Sequence, residues 1–272
     1  MQSAIYIQPQ QNNAACCCRA HYLALELQLP LCLQSGAGRP GYFLLVQAQR
    51  LGLCTAAQLT DIKGALWPDL LRLDVSSGPG RSAGQPLYKA ILGRSGRRSK
   101  RLLVLDATAG LGQDAWLLAV RGAQVLALER NVAVFALLRD NLARAGVQKP
   151  RVARRIKPCH MEAGQYLSRV LEDQGRPCRA QPVPDVIYLD PLFAKHKRKA
   201  APNKAIQLLQ QLTYPDRQSQ AEEDQLLKLA LELARQRVVV KRPLQGPVLG
   251  SGSAQPDLQI EAKSLRYDVY LA

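Results

Sequence analysis

The stretch Leu102-Leu103-Val104-Leu105-Asp106-Ala107-Thr108-Ala109-Gly110-Leu111-Gly112-Gln113-Asp114 decides how the rest of the chain is read. An apolar run of strand character ends in an acid. A turn of small residues with two glycines follows, and Ala115 to Val120 then begin an apolar pattern of helical kind. Strand, glycine turn and helix start together make a nucleotide-binding corner. The glycines let a ligand approach the backbone, and the first N–H groups of the helix point at it.

Working outward, strands and helices alternate from Arg101 onward, the signature of a parallel sheet with crossover helices. Gly122 is expected to close the first helix as a C-cap glycine. Val125–Leu128 reads as a second strand with Glu129 at its end, and Val132–Ala145 as a helix stopped by Gly146. Val152–Lys157 is expected to be a third strand and Met161–Leu171 a helix. Asp185–Leu189 is a fourth strand, finishing in Asp190-Pro191-Leu192-Phe193. Two helical stretches, 205–212 and 221–236, lead to a fifth strand at Arg237–Lys241. Leu258–Ala262 and Arg266–Leu271 then suit a terminal antiparallel hairpin.

The fold class expected is α/β, a Rossmann-like doubly wound sheet over residues 94–272, with a small N-terminal α+β region over 1–93. Residues 1–15, rich in Gln and Asn and without periodicity, are expected to be a frayed, flexible end. In the same region 19–33 suggests a helix running into an extended segment, Tyr42–Gln47 a strand, and Leu87–Leu92 a helix.

The chain has 272 residues and a formal net charge of +16. Such an excess favours a polyanionic partner, with nucleic acid ahead of membrane because no basic amphipathic anchor is evident. No run of about 18 apolar residues is present to span a bilayer, and no export signal opens the chain, so a cytoplasmic protein is expected. The seven cysteines include no C-x-x-C pair, and neighbours such as Cys16, Cys17 and Cys18 cannot all face one ion, so no metal site is expected.

Gly110-Leu111-Gly112-Gln113-Asp114-Ala115 also satisfies the dinucleotide fingerprint, with Glu129 about 20 residues on, so a nicotinamide enzyme is a competing reading. Against it, the first glycine of that fingerprint normally closes the strand directly, whereas here Asp106-Ala107-Thr108-Ala109 intervenes before Gly110. An acid ending strand one, a G-x-G turn and an acid ending strand two are the arrangement of S-adenosylmethionine-dependent methyltransferases. Asp190-Pro191-Leu192-Phe193, at the carboxyl end of strand four, decides between them, because it resembles the motif of methyltransferases that act on exocyclic amines. Such an amine has its lone pair delocalised into the ring. An acceptor pair, the Asp190 carboxylate and the Pro191 carbonyl, would hold its N–H groups and turn the lone pair toward the methyl, while Phe193 stacks on the base.

Four blocks in order carry a closer resemblance: Asp106–Ala115, Leu128-Glu129-Arg130-Asn131, Val186–Phe193 and Arg237–Pro243, with Arg266–Tyr270 at the end. Together they resemble the RsmJ family, bacterial small-subunit ribosomal RNA guanine-N2 methyltransferases, over about residues 70 to 272. The resemblance implies a class I methyltransferase fold. It also implies S-adenosyl-L-methionine as cofactor, and ribosomal RNA or the small ribosomal subunit as partner. Carried over by position, it implies cofactor contacts from Gln113, Asp114, Glu129, Arg130, Cys159, His160 and Asp190, beside Asp106, Gly110 and Gly112, which the glycine corner itself offers to the cofactor. Gln113 stands where the family usually has Arg, and Cys159-His160 near a pair of serines. RNA phosphates would be met by Arg97 and Arg98 and by the basic loop with Lys195, Lys197, Arg198, Lys199 and Lys204. The alternatives are methylation of adenine or of protein glutamine, a nicotinamide-dependent oxidoreductase, and an RNA-binding module without catalysis.

Overall fold

A computed structural model describes residues 4–10, 13–33, 39–73, 75, 86–93, 102–173, 182–191, 204–213, 220–249 and 254–272. Along the chain run β1 (Ile5–Pro9), α1 (Ala14–Leu27), β2 (Tyr42–Val46), β3 (Leu51–Thr55), α2 (Pro86–Leu92), β4 (Leu103–Asp106), α3 (Gln113–Val120) and β5 (Gln124–Glu129). There follow α4 (Val132–Gln148), α5 (Pro150–Ala153), β6 (Ile156–His160), α6 (Ala163–Asp173), β7 (Val186–Leu189), α7 (Lys204–Thr213), α8 (Gln220–Leu233), β8 (Arg237–Pro243), β9 (Leu258–Glu261) and β10 (Leu265–Leu271).

The chain divides into two compact units, neither of them one continuous segment. One gathers residues 1–69, 131–148 and 192–217; the other gathers 70–130, 149–191 and 218–272. The division differs from the expected boundary after residue 93, since α2 groups with the larger unit.

In the smaller unit β1 lies parallel to β2, which turns through residues 47–50 into the antiparallel β3. Phe43, Leu45, Cys32 and Cys54 form its buried centre, with Trp67 and the Tyr6 ring packed around them. The frayed end expected over 1–15 is corrected here. Ile5–Pro9 is a strand with Ile7 buried, and Asn13 caps α1 by accepting the Cys16 N–H at 2.9 Å. Five residues are too short a window to show a strand's alternation once only Ile7 turns fully inward.

The larger unit is a seven-stranded sheet in the order β6-β5-β4-β7-β8-β10-β9. Its first five strands are parallel, and β10 runs antiparallel to both β8 and β9, the terminal hairpin expected. One face is covered by α6 and α8, whose Tyr166, Leu167, Val170, Leu226, Leu227 and Ala230 bury Leu105, Leu128, Ile187, Leu189 and Val240.

Several expected boundaries move, among them those of the third strand and of α4. Residues 152–153 belong to α5, whose first residue is Pro150, as suits a helix start. The third strand therefore begins only at Ile156 and includes Cys159 and His160. Gly146 does not stop α4, which runs on to Gln148. Gly122, by contrast, has φ +105° just past α3, the left-handed stop foreseen for it.

Candidate active site

Strand order puts the site where it is. From β4 the chain steps to β5 and β6 on one side, then crosses to β7 and β8 on the other. The connections out of β4 and β7 thus diverge, and ligands bind at such a switch point beyond the carboxyl ends of the strands. Asp106, the last residue of β4, pairs in register with Ala127 on β5 and Tyr188 on β7. Glu129 and Asp190 each lie two residues beyond those partners, one on either side of the β4 end. Two inter-strand spacings separate them, about 10 Å between backbones.

The 107–112 turn ties both acids to itself. The Gly110 N–H donates to Glu129 Oε2 at 3.0 Å, and the Asp190 N–H donates to Thr108 Oγ1 at 2.6 Å. Thr108 in turn donates its own N–H to Asp106 Oδ1 at 3.3 Å. Gly110 (φ +55°) and Gly112 (φ +82°) are both left-handed, which explains why glycines stand there. Among the described residues, a Cβ built on Gly110 meets no atom within 4 Å, so the space beside this backbone is open.

Asp106 is 1% exposed. Burial first, then the Asp114 charge, push its carboxyl well above the ordinary range, although the Thr108 N–H works the other way. A carboxyl raised in this way destabilises the fold as pH rises from the ordinary carboxylate range through the folded value, because folding then opposes ionisation. Asp106→Asn should therefore melt about 2–4 °C higher than the native protein at pH 7.5 and gain little at pH 4, read by thermal denaturation. A lower melting temperature at pH 7.5 would show the carboxylate to be a net stabiliser.

Beyond the loop, Asp114 on the first turn of α3 accepts the Tyr188 hydroxyl at 2.7 Å and Lys241 Nζ at 2.9 Å. Lys241 also reaches Asp190 Oδ2, at 2.8 Å. Packing around the Asp190 carboxyl raises it, Lys241 lowers it and Asp114 raises it, with the balance above the ordinary range. A third of the Asp190 side chain remains accessible.

The structure thus brings Asp106, Gly110, Gly112, Asp114, Glu129 and Asp190 around one loop. Pro191 is buried directly after Asp190, and Gln113 is exposed as the first residue of α3. Arg130 follows Glu129, and its carbonyl oxygen lies 3.0 Å from Nε2 of the exposed His160. His160 pairs with Glu129 in register at the end of β6, whereas Cys159 packs against the hydrophobic core. Phe193, Arg97, Arg98, Lys195, Lys197, Arg198 and Lys199 lie outside the described residues, as does the side chain of Lys204. Sequence reasoning missed Tyr188 and Lys241. Only the strand order, which sets β8 beside β7, puts Lys241 next to Asp190.

Comparison with known proteins decides between the two cofactor readings. A family model for SAM-dependent methyltransferases matches residues 37–272. The chain belongs to the methyltransferase J family. It is 37% identical to "Ribosomal RNA small subunit methyltransferase J" of Nitrosococcus oceani, over 96% of this chain and 95% of that one. The protein of the same name from Hydrogenovibrio crunogenus is 35% identical, over 93% and 90% of the two chains. The crystal structure of a SAM-dependent methyltransferase from Neisseria gonorrhoeae superposes with a TM-score of 0.65 at 25% identity, covering 98% of this chain and 96% of that one.

The cofactor of this methyltransferase is S-adenosyl-L-methionine, and the nicotinamide reading falls. Gly110→Ala tests the cradle directly. The added methyl meets no atom of the described residues, so the stability cost is that of a left-handed alanine, about 1–2 kcal/mol. S-adenosylhomocysteine affinity should nonetheless fall at least about tenfold by calorimetry, because the methyl fills the space offered to the ligand. Unchanged affinity would place the cofactor elsewhere.

Proposed function

We propose that this methyltransferase transfers a methyl group to the exocyclic N2 amine of a guanosine in small-subunit ribosomal RNA. Asp190 carries the reading: an acceptor carboxylate with an accessible edge, anchored by its own N–H to the loop whose next turn is held by Glu129. The name borne by its relatives supports the choice of polymer.

Bound at the glycine turn, S-adenosylmethionine supplies a methyl carbon on a positively charged sulfur, which departs as a neutral thioether. The chain's own residues supply alignment. Gly110 and Gly112 keep the backbone low and open, and Glu129 fixes the turn while lying where ribose hydroxyls would be received. Asp190 and the Pro191 carbonyl accept the amine's N–H groups, which directs the nitrogen lone pair away from them. The N–C bond forms as the C–S bond breaks, and the surplus proton on nitrogen passes to water at the accessible edge of Asp190. Fixing two reactants in line supplies much of the rate, and no metal is called for. Among the described residues no group of three metal-ligating side chains occurs.

Electrostatics favour a phosphate-rich partner. Between Asp140 and Glu162 there is no acid, and Lys149, Arg151, Arg154 and Lys157 stand exposed on α5 and the sheet's edge strand β6. The Arg97–Arg98 and Lys195–Lys204 segments would add to the grip. Among the described residues no helix is long and apolar enough to cross a membrane, and the cytoplasm, where ribosomes are made, is the proposed compartment.

The test is transfer of labelled methyl to small ribosomal subunits from a strain lacking this methylation, followed by mapping. Label on guanine N2 supports the reading. Label on adenine N6 or on protein overturns it, as does none at all.

A further inference from the structure

The strongest arrangement left unused by that account is the ammonium of Lys241, set between two carboxylates. Its Nζ lies 2.9 Å from Asp114 Oδ2 and 2.8 Å from Asp190 Oδ2. Asp114 is itself fixed from the other side, since the buried Tyr188 hydroxyl donates to the same Oδ2 at 2.7 Å. A continuous chain of hydrogen bonds therefore runs from Tyr188 through Asp114 and Lys241 to Asp190, across α3, β7 and β8.

We propose that Lys241 is a positioning residue for methyl transfer, which holds the Asp190 carboxylate ionised and aimed by bracing it against Asp114. The inference rests on the reading of Asp190 as acceptor for the substrate amine. Three physical points support it.

First, a carboxylate accepts an N–H bond most strongly when ionised, and the surroundings of Asp190 work against that. Asp106 on β4 and Asp114 on α3 are acids nearby, and the phenols of Tyr188 and Tyr267 (β10) bring no positive charge. Tyr88 on α2 turns its hydroxyl to the Leu117 carbonyl instead. Lys241 is the cation that the structure sets against this group. Burial works against its own charge, but Asp190 and Asp114 together raise its proton affinity above the ordinary lysine range, so the charge is permanent at physiological pH.

Second, Lys241 bonds to one carboxylate oxygen only, Oδ2, which leaves Oδ1 for substrate. Third, a lysine so placed makes Asp190 a weaker base. Its task is thereby narrowed to accepting hydrogen bonds, and the proton is left to water.

The experiment compares Lys241→Met, Lys241→Arg and Asp190→Ala in the full-length protein, with small ribosomal subunits lacking the methylation as substrate. Lys241→Met should lower kcat about 10- to 100-fold, with KM for the subunits and S-adenosylhomocysteine affinity within about threefold of native. The acidic limb of its pH–kcat profile should move up by about one pH unit, because the anion has lost its cation. Lys241→Arg restores the charge and should return the limb to its native place. A role confined to fold stability would lower the melting temperature and leave the limb unmoved.

Should Lys241→Met fail to fold, Lys241→Met combined with Asp114→Asn removes the carboxylate left unpaired, and the same shift is expected of it. A native limb and kcat in the variant that folds overturn the proposal. If Asp190→Ala is inactive in that case, only the role of Lys241 is lost. If Asp190→Ala retains full activity, the reading of the site fails first.

Discussion

Asp190→Ala is expected to abolish methyl transfer, by at least about 100- to 1000-fold in kcat, while RNA affinity stays within about twofold of native. The asymmetry follows from where the residue sits. Its backbone N–H, which the substitution keeps, holds Thr108 at 2.6 Å, so the 107–112 loop survives. The carboxylate, which the substitution removes, is one group at a crowded strand end. Grip on a long polyanion comes instead from many dispersed cations, each contributing little and all weakened by salt. Filter binding and single-turnover methylation, run on the same preparation, separate the two quantities. Parallel losses in both would mean that Asp190 holds RNA rather than presents an amine. Asp190→Asn retains one acceptor oxygen but turns a donor toward the substrate, so intermediate activity is expected of it.

The second large effect belongs to the smaller unit. Asp140→Ala should destabilise the protein by about 2–4 kcal/mol and lower its melting temperature by roughly 5–15 °C. Asp140, at 5% side-chain exposure, accepts from three donors. They are the Arg19 guanidinium at 2.5 Å, the Arg144 guanidinium at 2.9 Å and the Leu51 N–H at 3.1 Å. Its loss leaves two cations and an edge amide without their acceptor. The two arginines keep about a quarter of their side-chain exposure, 27% and 25%, which holds the cost below that of a fully enclosed pair. Arg144 also retains the Pro68 carbonyl at 2.6 Å. Circular dichroism melts give the answer. A fall of less than about 2 °C would show that the three donors find other acceptors.

The contrast between these residues shows how far the chain could be read without coordinates. The glycine corner was legible because its chemistry is local. A strand-ending acid, two glycines with positive φ and a helix start lie within one stretch, and each imposes its own constraint on residue type. Glu129 and Asp190 were legible as acids at strand ends, and the parallel sheet then brought both to the same loop. Lys241 reads in the sequence as no more than the last residue of a strand. Its meaning depends on β8 lying beside β7, and α3 presenting Asp114, at sequence distances of 51 and 127 residues. Asp140 was hidden for the same reason, since two of its three donors, Arg19 and Leu51, stand 121 and 89 residues before it. The third strand was placed four residues early because Val152, Ala153 and Ile156 suit either a short helix or a strand. Pro150 at a helix start was the cue that settles it.

The interleaving of the two units has a consequence for how the protein is made. Asp140 lies 121 residues after Arg19 and 89 after Leu51, the groups that await it. At the pace of a translating ribosome that is an interval on the order of ten seconds. During it the amino-terminal segment has left the exit tunnel without the helix that completes it, and β4 and β5 of the neighbouring unit are synthesised in between. The nascent chain therefore cannot mature one unit after the other. The segment that holds Arg19 and Leu51 must wait, half-assembled, for a helix encoded well downstream of it.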